Sequence, residues 1–357
     1  MKKIIRKRYW FFPIMYFFMV LLTMNEHLDG IDFKNQIYTL ESIKDTNIQN
    51  LPNNLNDAYL YLYTYKVLYN ICGISPRLFI ALLSFIYFAI LIKAIECFVY
   101  KYEVDKLNKS RLGQIALFTC LCYSPLFICI ARFHFAVILV LIGLLILLWG
   151  NTTLKKILGI TILISSYFAH QGISIIYALI ILAYLLHRFW LSKSTNVINR
   201  NIIICLISLV LFITGPKVFG LVTALMGRYS LLSDRYVESY VETTSGDGLY
   251  LLVLVLSLLG TMVSLMLTTL CNRKNNWITA LCVSGIFMTC LFYNQKFFFV
   301  QRIFMFMPLF IGLSVIQVIQ NENSKKVDLL KIALFSVPAI YLCQLWIQRL
   351  FFFTCRN

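Results

Sequence analysis

The chain has 357 residues, of which 60% are apolar and only 13% are charged. A soluble domain carries roughly 25% charged residues, so this composition excludes an ordinary soluble fold. The net charge of +17 could indicate a nucleic-acid partner. The basic residues, however, lie in short segments between apolar runs, an arrangement that sets membrane topology, and we predict no nucleic-acid partner.

Long apolar runs such as 249–270 predict helices that cross a lipid bilayer. A hydrocarbon core about 30 Å thick needs roughly 20 helical residues, and only helices and closed barrels satisfy every backbone group in lipid. Barrel strands would alternate over about ten residues, and these runs do not alternate. We therefore predict an all-α, polytopic transmembrane helical bundle of about 10–11 spans, forming a single integral membrane domain over residues 1–357.

In chain order, the apolar runs predict spans at 9–24, 78–100, 112–130, 133–149, 156–169, 172–187, 201–219, 249–271, 277–293, 298–319 and 331–350. The first run follows a basic start and no small-residue cleavage site follows it, which indicates an uncleaved span. Ser124-Pro125 predicts a break in the 112–149 run, because proline disfavours helix at the preceding residue. The 156–187 run is interrupted at 170–172, and each interrupted run predicts a tight helical hairpin.

The charges between these spans predict the orientation of the protein. If the N-terminus is cytoplasmic, the breaks on that side contain nineteen Lys or Arg. The opposite side has twelve Lys or Arg spread over more residues, and ten of the fifteen acidic residues. This is the positive-inside distribution, which predicts a multi-pass membrane protein with a cytoplasmic N-terminus. The two longest breaks, 25–76 and 220–248, are then outer loops, where function concentrates.

Arg132 and His170 are the strongest candidates for chemistry. Counting from Lys156 at 1.5 Å per residue, Arg132 falls at the outer membrane edge, where a guanidinium can clamp a phosphate in bidentate fashion. The alternative is snorkelling to lipid headgroups. His170 lies only about 21 Å along its helix, which predicts a recessed outer vestibule and a functional role. The alternative is a polar residue that fills a hairpin turn. His134 is a weaker candidate.

Other outer-side cations could bind a ligand. Arg228 and Arg235 are seven apart and would share one helix face, although a solvated helix with ion pairs explains them equally well. Lys296 and Arg302 flank another outer break and would point to opposite sides of a continuous helix. Of these two we favour Arg302, which opens the long following span.

Two outer-side acids follow the first span. Asp29 and Asp32 are three apart and would face the same way on a helical turn. They could bind a divalent cation, act as a base towards a hydroxyl or begin a polar loop. No Walker-type glycine loop, H-E-x-x-H or G-x-S-x-G motif occurs, and we predict no cofactor and no metal site. Any reaction must then use a preactivated substrate delivered in the membrane.

Five short segments resemble the EpsG/Wzy-type bacterial polysaccharide polymerases, which extend exopolysaccharide, capsule or O-antigen chains. The segments are GIDF at 30–33, DAY at 57–59, RFHFA at 132–136, FAHQG at 168–172 and RIFMF at 302–306. Their order and their outer-side placement carry the resemblance. It implies a bacterial membrane enzyme that transfers oligosaccharide repeat units from undecaprenyl pyrophosphate, on the outer face of the cytoplasmic membrane. It also implies partners in the same pathway, namely a flippase and a chain-length regulator.

This chemistry assigns roles to the candidate residues. Fixed cations would stabilise the leaving diphosphate, and a base would orient or deprotonate the acceptor hydroxyl. The catalytic candidates are Arg132, His170 and Asp32, and the substrate-binding candidates are Arg302, Arg228, Arg235, Lys296, Asp29 and Asp57. The alternatives are a flippase or other transporter of lipid-linked oligosaccharides, a membrane acyltransferase that modifies polysaccharide, and a non-catalytic assembly partner.

Overall fold

The computed structural model describes residues 10–22, 32–45, 58–100, 131–191, 197–228 and 276–292. The secondary structure within these ranges is entirely helical, in agreement with the all-α prediction. The chain divides into two compact units. Among the described residues, the first unit contains those up to 100 together with 131–174, and the second contains those from 175 onward.

The helices of the first unit are α1 (Phe11–Leu22), α2 (Asp32–Ser42), α3 (Tyr59–Cys72), α4 (Pro76–Tyr100), α5 (Ala131–Trp149) and α6 (Thr153–Ala169), followed by a 3₁₀ turn (Gln171–Ile173). The second unit contains all but the first residue of α7 (Ser174–Leu186), which continues into a π-helical turn (His187–Leu191), then α8 (Val197–Arg228) and α9 (Asn276–Phe292).

The predicted spans agree with these helices in most places. Six of them lie within three residues of α1, α4, α5, α6, α7 and α9 at both ends. Helix α8 extends beyond both ends of the predicted span 201–219 and enters the predicted outer loop 220–248. The predicted loop 25–76 contains two helices, α2 and α3. The spans predicted at 112–130, 249–271, 298–319 and 331–350 lie outside the described residues.

Two helical stretches, Pro76–Ile95 and Gln171–Leu191, are long and apolar enough to cross a membrane. Three shorter apolar helical stretches are Ala131–Leu147, Asn199–Gly215 and Thr279–Leu291. The full count of about 10–11 spans stays a prediction.

Local signals set the ends of the helices around the first unit's core. Helix α3 ends at Gly73, whose φ of 64° places it in the left-handed region, where glycine is favoured because it has no Cβ. Its amide donates to the Tyr69 carbonyl at 2.8 Å. Two residues later, Ser75 precedes Pro76 at the first position of α4, a helix-start pair of N-cap and proline, and the Ser75 Oγ accepts from the Leu78 amide at 3.3 Å.

Helices α5 and α6 pack against each other as a hairpin, and glycines let them approach closely. A Cβ placed on Gly143 would lie 2.9 Å from the Gly159 carbonyl oxygen and 2.8 Å from the Leu163 Cγ. A Cβ on Gly159 would lie 2.8 Å from the Leu147 Cγ. These contacts pair increasing residue numbers in α5 with decreasing ones in α6, so the two helices are antiparallel. Small residues allow such contact between helices in lipid.

Helices α1 and α4 also pack antiparallel. The rings of Tyr16 and Phe88 stack with centroids 3.8 Å apart, and the Lys93 ammonium lies over the Trp10 ring at 5.5 Å. Lys93 is one of the few charges within a predicted span, and an aromatic ring gives its ammonium a favourable cation–π contact. The beginning of α1 is therefore at the same end of this unit as the last turns of α4.

In the second unit, α8 packs on α9. A Cβ on Gly215 would lie 2.7 Å from the Leu291 carbonyl oxygen, so the two backbones are close at this point. Ala183, Leu191 and Ala280 form a small buried cluster in this unit. Four hydroxyls on α8 and α9 donate to carbonyls of their own helices, those of Ser208, Thr214, Ser284 and Thr289.

Candidate functional site

Three helix ends meet in the first unit, and a fourth helix lies against them. The beginnings of α4 and α5 and the end of α6 lie close together. Tyr61 of α3 contacts a ring at the beginning of α4, Phe79, and one at the beginning of α5, Phe135, with centroids 5.4 and 5.9 Å away. The ring of Phe133, in turn, lies edge-on to His170 at 5.7 Å. We call this region the polar end of the unit; its polar side chains are Arg132, His134 and His170.

His170 joins α6 to the 3₁₀ turn. Its side chain is only 4% exposed, and its Nδ1 accepts a hydrogen bond from the Gly172 amide at 2.9 Å. A backbone amide can only donate, so Nδ1 carries a lone pair and the ring proton is on Nε2. His170 is therefore held as a neutral imidazole that can donate from Nε2. Removal of a proton from a sugar hydroxyl would require this ring to lose the Gly172 bond.

Arg132 lies in the first turn of α5 and is half-buried. Its guanidinium acts electrostatically on the buried phenol of Tyr61 in α3. Burial raises the pKa of Tyr61 well above its ordinary value, and the nearby positive charge of Arg132 lowers it by less. The phenol consequently stays protonated at neutral pH and can donate a hydrogen bond.

His134 is 1% exposed and packs against α4. The imidazole and the Tyr87 ring are perpendicular, with centroids 4.9 Å apart. The arrangement is an edge-to-face aromatic contact. His134 thus lies two residues from Arg132 in sequence and in the same buried aromatic cluster as Phe133, although it was the weaker candidate in the sequence analysis.

The tyrosines of α3 divide between two faces of the helix. Tyr61 and Tyr65, one turn apart, are buried, and both rings lie against Phe79. Tyr59 and Tyr63 are exposed on another face and stack on each other with centroids 6.3 Å apart. Burial raises the pKa of Tyr65 to about 12, with smaller contributions from Tyr69 and Glu41.

Helix α3 is tied to the end of α2. The Lys66 ammonium donates to the Ile43 carbonyl at 3.0 Å and also to the carbonyl of Lys44. These carbonyls follow the last turn of α2, where a positive charge satisfies orphan acceptors and complements the helix dipole. The Lys44 ammonium in turn lies over the Tyr69 ring at 5.5 Å. The two helices of the predicted outer loop therefore support each other.

The structure brings together some of the sequence-predicted site residues. Arg132 and His170 both lie at the polar end, on consecutive antiparallel helices. Asp32 is the first residue of α2, and Arg228 is the last residue of α8, in the second unit. The remaining candidates fall outside the described residues: Asp29, Asp57, Arg235, Lys296 and Arg302. The assignment of all nine to a substrate site stays a prediction.

Sequence reasoning did not single out three buried tyrosines of this region, namely Tyr61, Tyr65 and Tyr87. The stretch 58–70 is visibly rich in tyrosine, but its tyrosines recur every second residue over 59–65, and this spacing does not show which of them are buried. A helical reading with i, i+4 pairs would have grouped Tyr61 with Tyr65. Within the described ranges, no group of three or more His, Cys, Asp or Glu is placed to hold a metal ion.

A comparison with protein families identifies the chain. The sequence model of the EpsG family matches residues 9–355, nearly the whole length. The chain belongs to the EpsG family. This family is of the polysaccharide-polymerase type, which confirms the resemblance seen in the five short segments and indicates a role in polysaccharide biosynthesis. No curated protein and no solved structure matches the chain.

Family membership also bears on the class of reaction. It implies a glycosyltransferase-like polymerase, and together with the apolar helices it indicates a membrane protein. The polar end of the first unit holds a cation, a hydrogen-bond donor and a cluster of aromatic rings.

Proposed function

We propose that this EpsG-family protein polymerises oligosaccharide repeat units on the outer face of the bacterial cytoplasmic membrane, with undecaprenyl pyrophosphate as the donor's leaving group. The observation that supports this best is that Arg132 and His170, whose ring proton is on Nε2, both lie at the polar end of the first unit. A cation and a neutral donor on adjacent helix ends suit an anionic diphosphate better than a neutral sugar.

The reaction exchanges one bond to the anomeric carbon for another. The bond from this carbon to the diphosphate oxygen breaks, while a hydroxyl of the second glycan forms the new glycosidic bond and loses its proton. The departing diphosphate gains negative charge, which preorganised donors and cations stabilise in a buried site. Arg132 would bind two of its oxygens in bidentate fashion, and His170 would donate to a third from Nε2.

The acceptor's proton needs a separate base, since the Nδ1 of His170 is engaged by the Gly172 amide. Asp32, at the beginning of α2, is our candidate for this role because a carboxylate can accept the proton or orient the hydroxyl. Arg302, Arg228, Arg235, Lys296, Asp29 and Asp57 would bind the rest of the lipid diphosphate or the glycan. The bilayer would hold the lipid tail.

Deletion of the gene, followed by sizing of the lipid-linked glycans, tests this proposal. We expect single repeat units to accumulate on the outside of the cell membrane and the long polymer to disappear. Accumulation on the inside would indicate a flippase instead, and full-length polymer that lacks a substituent would indicate an acyltransferase. Either result would overturn the polymerase assignment.

Point variants then test the site within the same strain. Arg132→Ala should restore protein level but not polymer, whereas the matched control Arg188→Ala should restore both. Arg188 is exposed, and its Nη1 donates to the hydroxyl of Tyr184, four residues earlier, at 2.6 Å. Normal polymer in the Arg132→Ala strain would remove this arginine from the reaction.

A further inference from the structure

The hydroxyl of Tyr61 is buried and has no hydrogen-bond partner among the described residues. The side chain is 1% exposed, so water does not compensate for the missing bond. Leaving a buried donor unsatisfied costs about 1–3 kcal/mol. A phenylalanine would fill the same space without this cost, and packing alone therefore does not explain a tyrosine at position 61.

The surroundings of this hydroxyl indicate what would satisfy it. Tyr61 packs on Phe79 and Phe135 at the beginnings of α4 and α5, and the guanidinium of Arg132 is close enough to act on its phenol electrostatically. Arg132 can only donate hydrogen bonds, and the Tyr61 oxygen does not accept one from it. Two donors beside each other at the polar end fit a shared acceptor that carries negative charge.

We propose that Tyr61 is a substrate-binding residue whose hydroxyl donates to the same diphosphate that Arg132 binds, an inference that rests on the proposed function. Helix α3 is then a wall of the site and not only a segment of an outer loop. Lys66, bonded to the Ile43 and Lys44 carbonyls, holds this wall in position. The bound diphosphate accepts a hydrogen bond from the phenol, and this donor beside the Arg132 guanidinium strengthens the preference for an anion.

Tyr61→Phe tests the inference, because it removes one oxygen atom and leaves the ring contacts intact. Tyr63→Phe, on the exposed face of the same helix, is the matched control. In a deletion strain complemented with each variant, we expect the polymer yield to fall about tenfold or more for Tyr61→Phe, as for loss of one donor to a charged group. The control should make normal polymer.

Thermal unfolding of the purified full-length chain in detergent separates binding from folding. Because the Tyr61 hydroxyl bonds to none of the described residues, the unfolding midpoint of Tyr61→Phe should equal or exceed that of the unsubstituted chain. A lower midpoint together with less polymer would assign the hydroxyl a structural role and overturn the inference.

A double-variant cycle asks whether the two donors share one ligand. Arg132→Lys keeps the charge but loses the bidentate geometry, so residual polymer can be measured in combination with Tyr61→Phe. Donors to one diphosphate should be coupled, and the double variant should lose less than the product of the two single losses. Independent losses that simply multiply would place Tyr61 on a different ligand group.

The results also separate this inference from the proposed function. Normal polymer in Tyr61→Phe, with polymer lost in Arg132→Ala, would overturn the role of Tyr61 and leave the polymerase assignment standing. Normal polymer in the gene deletion itself would overturn the polymerase assignment, and with it the role of Tyr61.

Discussion

The two ends of the α5–α6 hairpin use the same pair of helices for different purposes. Towards the turn, Gly143 and Gly159 let the backbones approach so closely that added methyl groups would collide. At the other end the same helices carry Arg132, His134 and His170 among aromatic rings. We call the first region the glycine end. Close backbone packing holds the two helices together at the glycine end, and the polar end, where no such contact is needed, carries the polar side chains.

If this division is correct, substitutions at the two ends should fail in different ways. Those at the polar end should remove activity and leave the unfolding midpoint unchanged. Those at the glycine end should lower stability, and with it the amount of protein, while the activity of each remaining molecule is retained.

The largest expected effect is at Arg132. Arg132→Ala should lower polymer formation by about 10²–10³-fold, the usual consequence of losing one preorganised group that stabilises developing charge. Arg132→Lys should lose roughly tenfold because an ammonium cannot bind two oxygens as a planar fork does. Gel sizing of the polymer per unit of membrane protein measures both. Near-normal yield with lysine would favour snorkelling to headgroups.

His170 offers a test of which ring nitrogen matters. Asparagine can accept from the Gly172 amide in place of Nδ1 but has no donor at the position of Nε2, whereas glutamine can place an amide N–H near Nε2. We expect His170→Asn to fold normally and lose polymer by about 10²-fold, and His170→Gln to retain more activity. The reverse order would indicate that Nδ1 capping of the turn, and not donation from Nε2, is what the protein requires.

At the glycine end, Gly143→Ala should destabilise the protein by about 1–3 kcal/mol, the usual cost of overpacking a close contact. The control is Gly220→Ala, where an added Cβ meets nothing within 4 Å. That substitution should be neutral or stabilise α8 by up to about 1 kcal/mol, because alanine favours helix more than glycine. Unfolding midpoints in detergent give both values. Equal midpoints for the two variants would contradict the close helix contact.

Lys66→Met should have a smaller effect of about 1 kcal/mol on stability, through loss of its bonds to two α2 carbonyls. The substitution keeps most of the apolar stem. Since α3 would be less well held, polymer yield should fall a few-fold more than the stability loss alone explains. The control is Lys156→Met, because Lys156 is an exposed lysine of α6. If both variants show the same unfolding midpoint and polymer yield, Lys66 does not hold α3 on α2.

The smallest effect concerns alkaline pH. Burial raises the pKa of Tyr65 to about 12, whereas the unfolded chain has an ordinary tyrosine pKa of about 10. Between these values the unfolded state releases a proton that the folded state keeps, so stability falls as pH rises through this window. Tyr65→Phe should remove part of this decline in the unfolding midpoint. Tyr63→Phe should leave the decline unchanged, because Tyr63 is exposed. An equal decline in the unsubstituted chain, Tyr65→Phe and Tyr63→Phe would contradict the burial of Tyr65.

The helices that the sequence predicted well are those in which apolar length is the only requirement. Helices α4, α5, α6 and α9 begin and end near the predicted residues because a bilayer demands long uninterrupted apolar runs. The interruption at His170–Gly172 was likewise visible, since polar residues and a glycine stand out in such a run. Helices α2 and α3 were less visible, because in polar segments outside the membrane apolar length no longer distinguishes helix from loop.

The residues of the candidate site likewise include some that the sequence could indicate and one that only the structure revealed. Arg132 and His170 could be chosen from the sequence because an ionisable residue in an apolar run is costly and therefore conspicuous. That Tyr61 lies against the helix end that carries Arg132 required the tertiary structure, since the two are 71 positions apart and their contact depends on how α3 packs.

By itself, the sequence determined the helical class, the apolar segments and the family, because these depend on local composition and on the order of short motifs. Only the tertiary structure decided which tyrosines of α3 are buried and which nitrogen of His170 carries the proton. Both depend on single contacts between side chains and neighbouring backbone or rings, and hydrophobic periodicity does not encode such contacts.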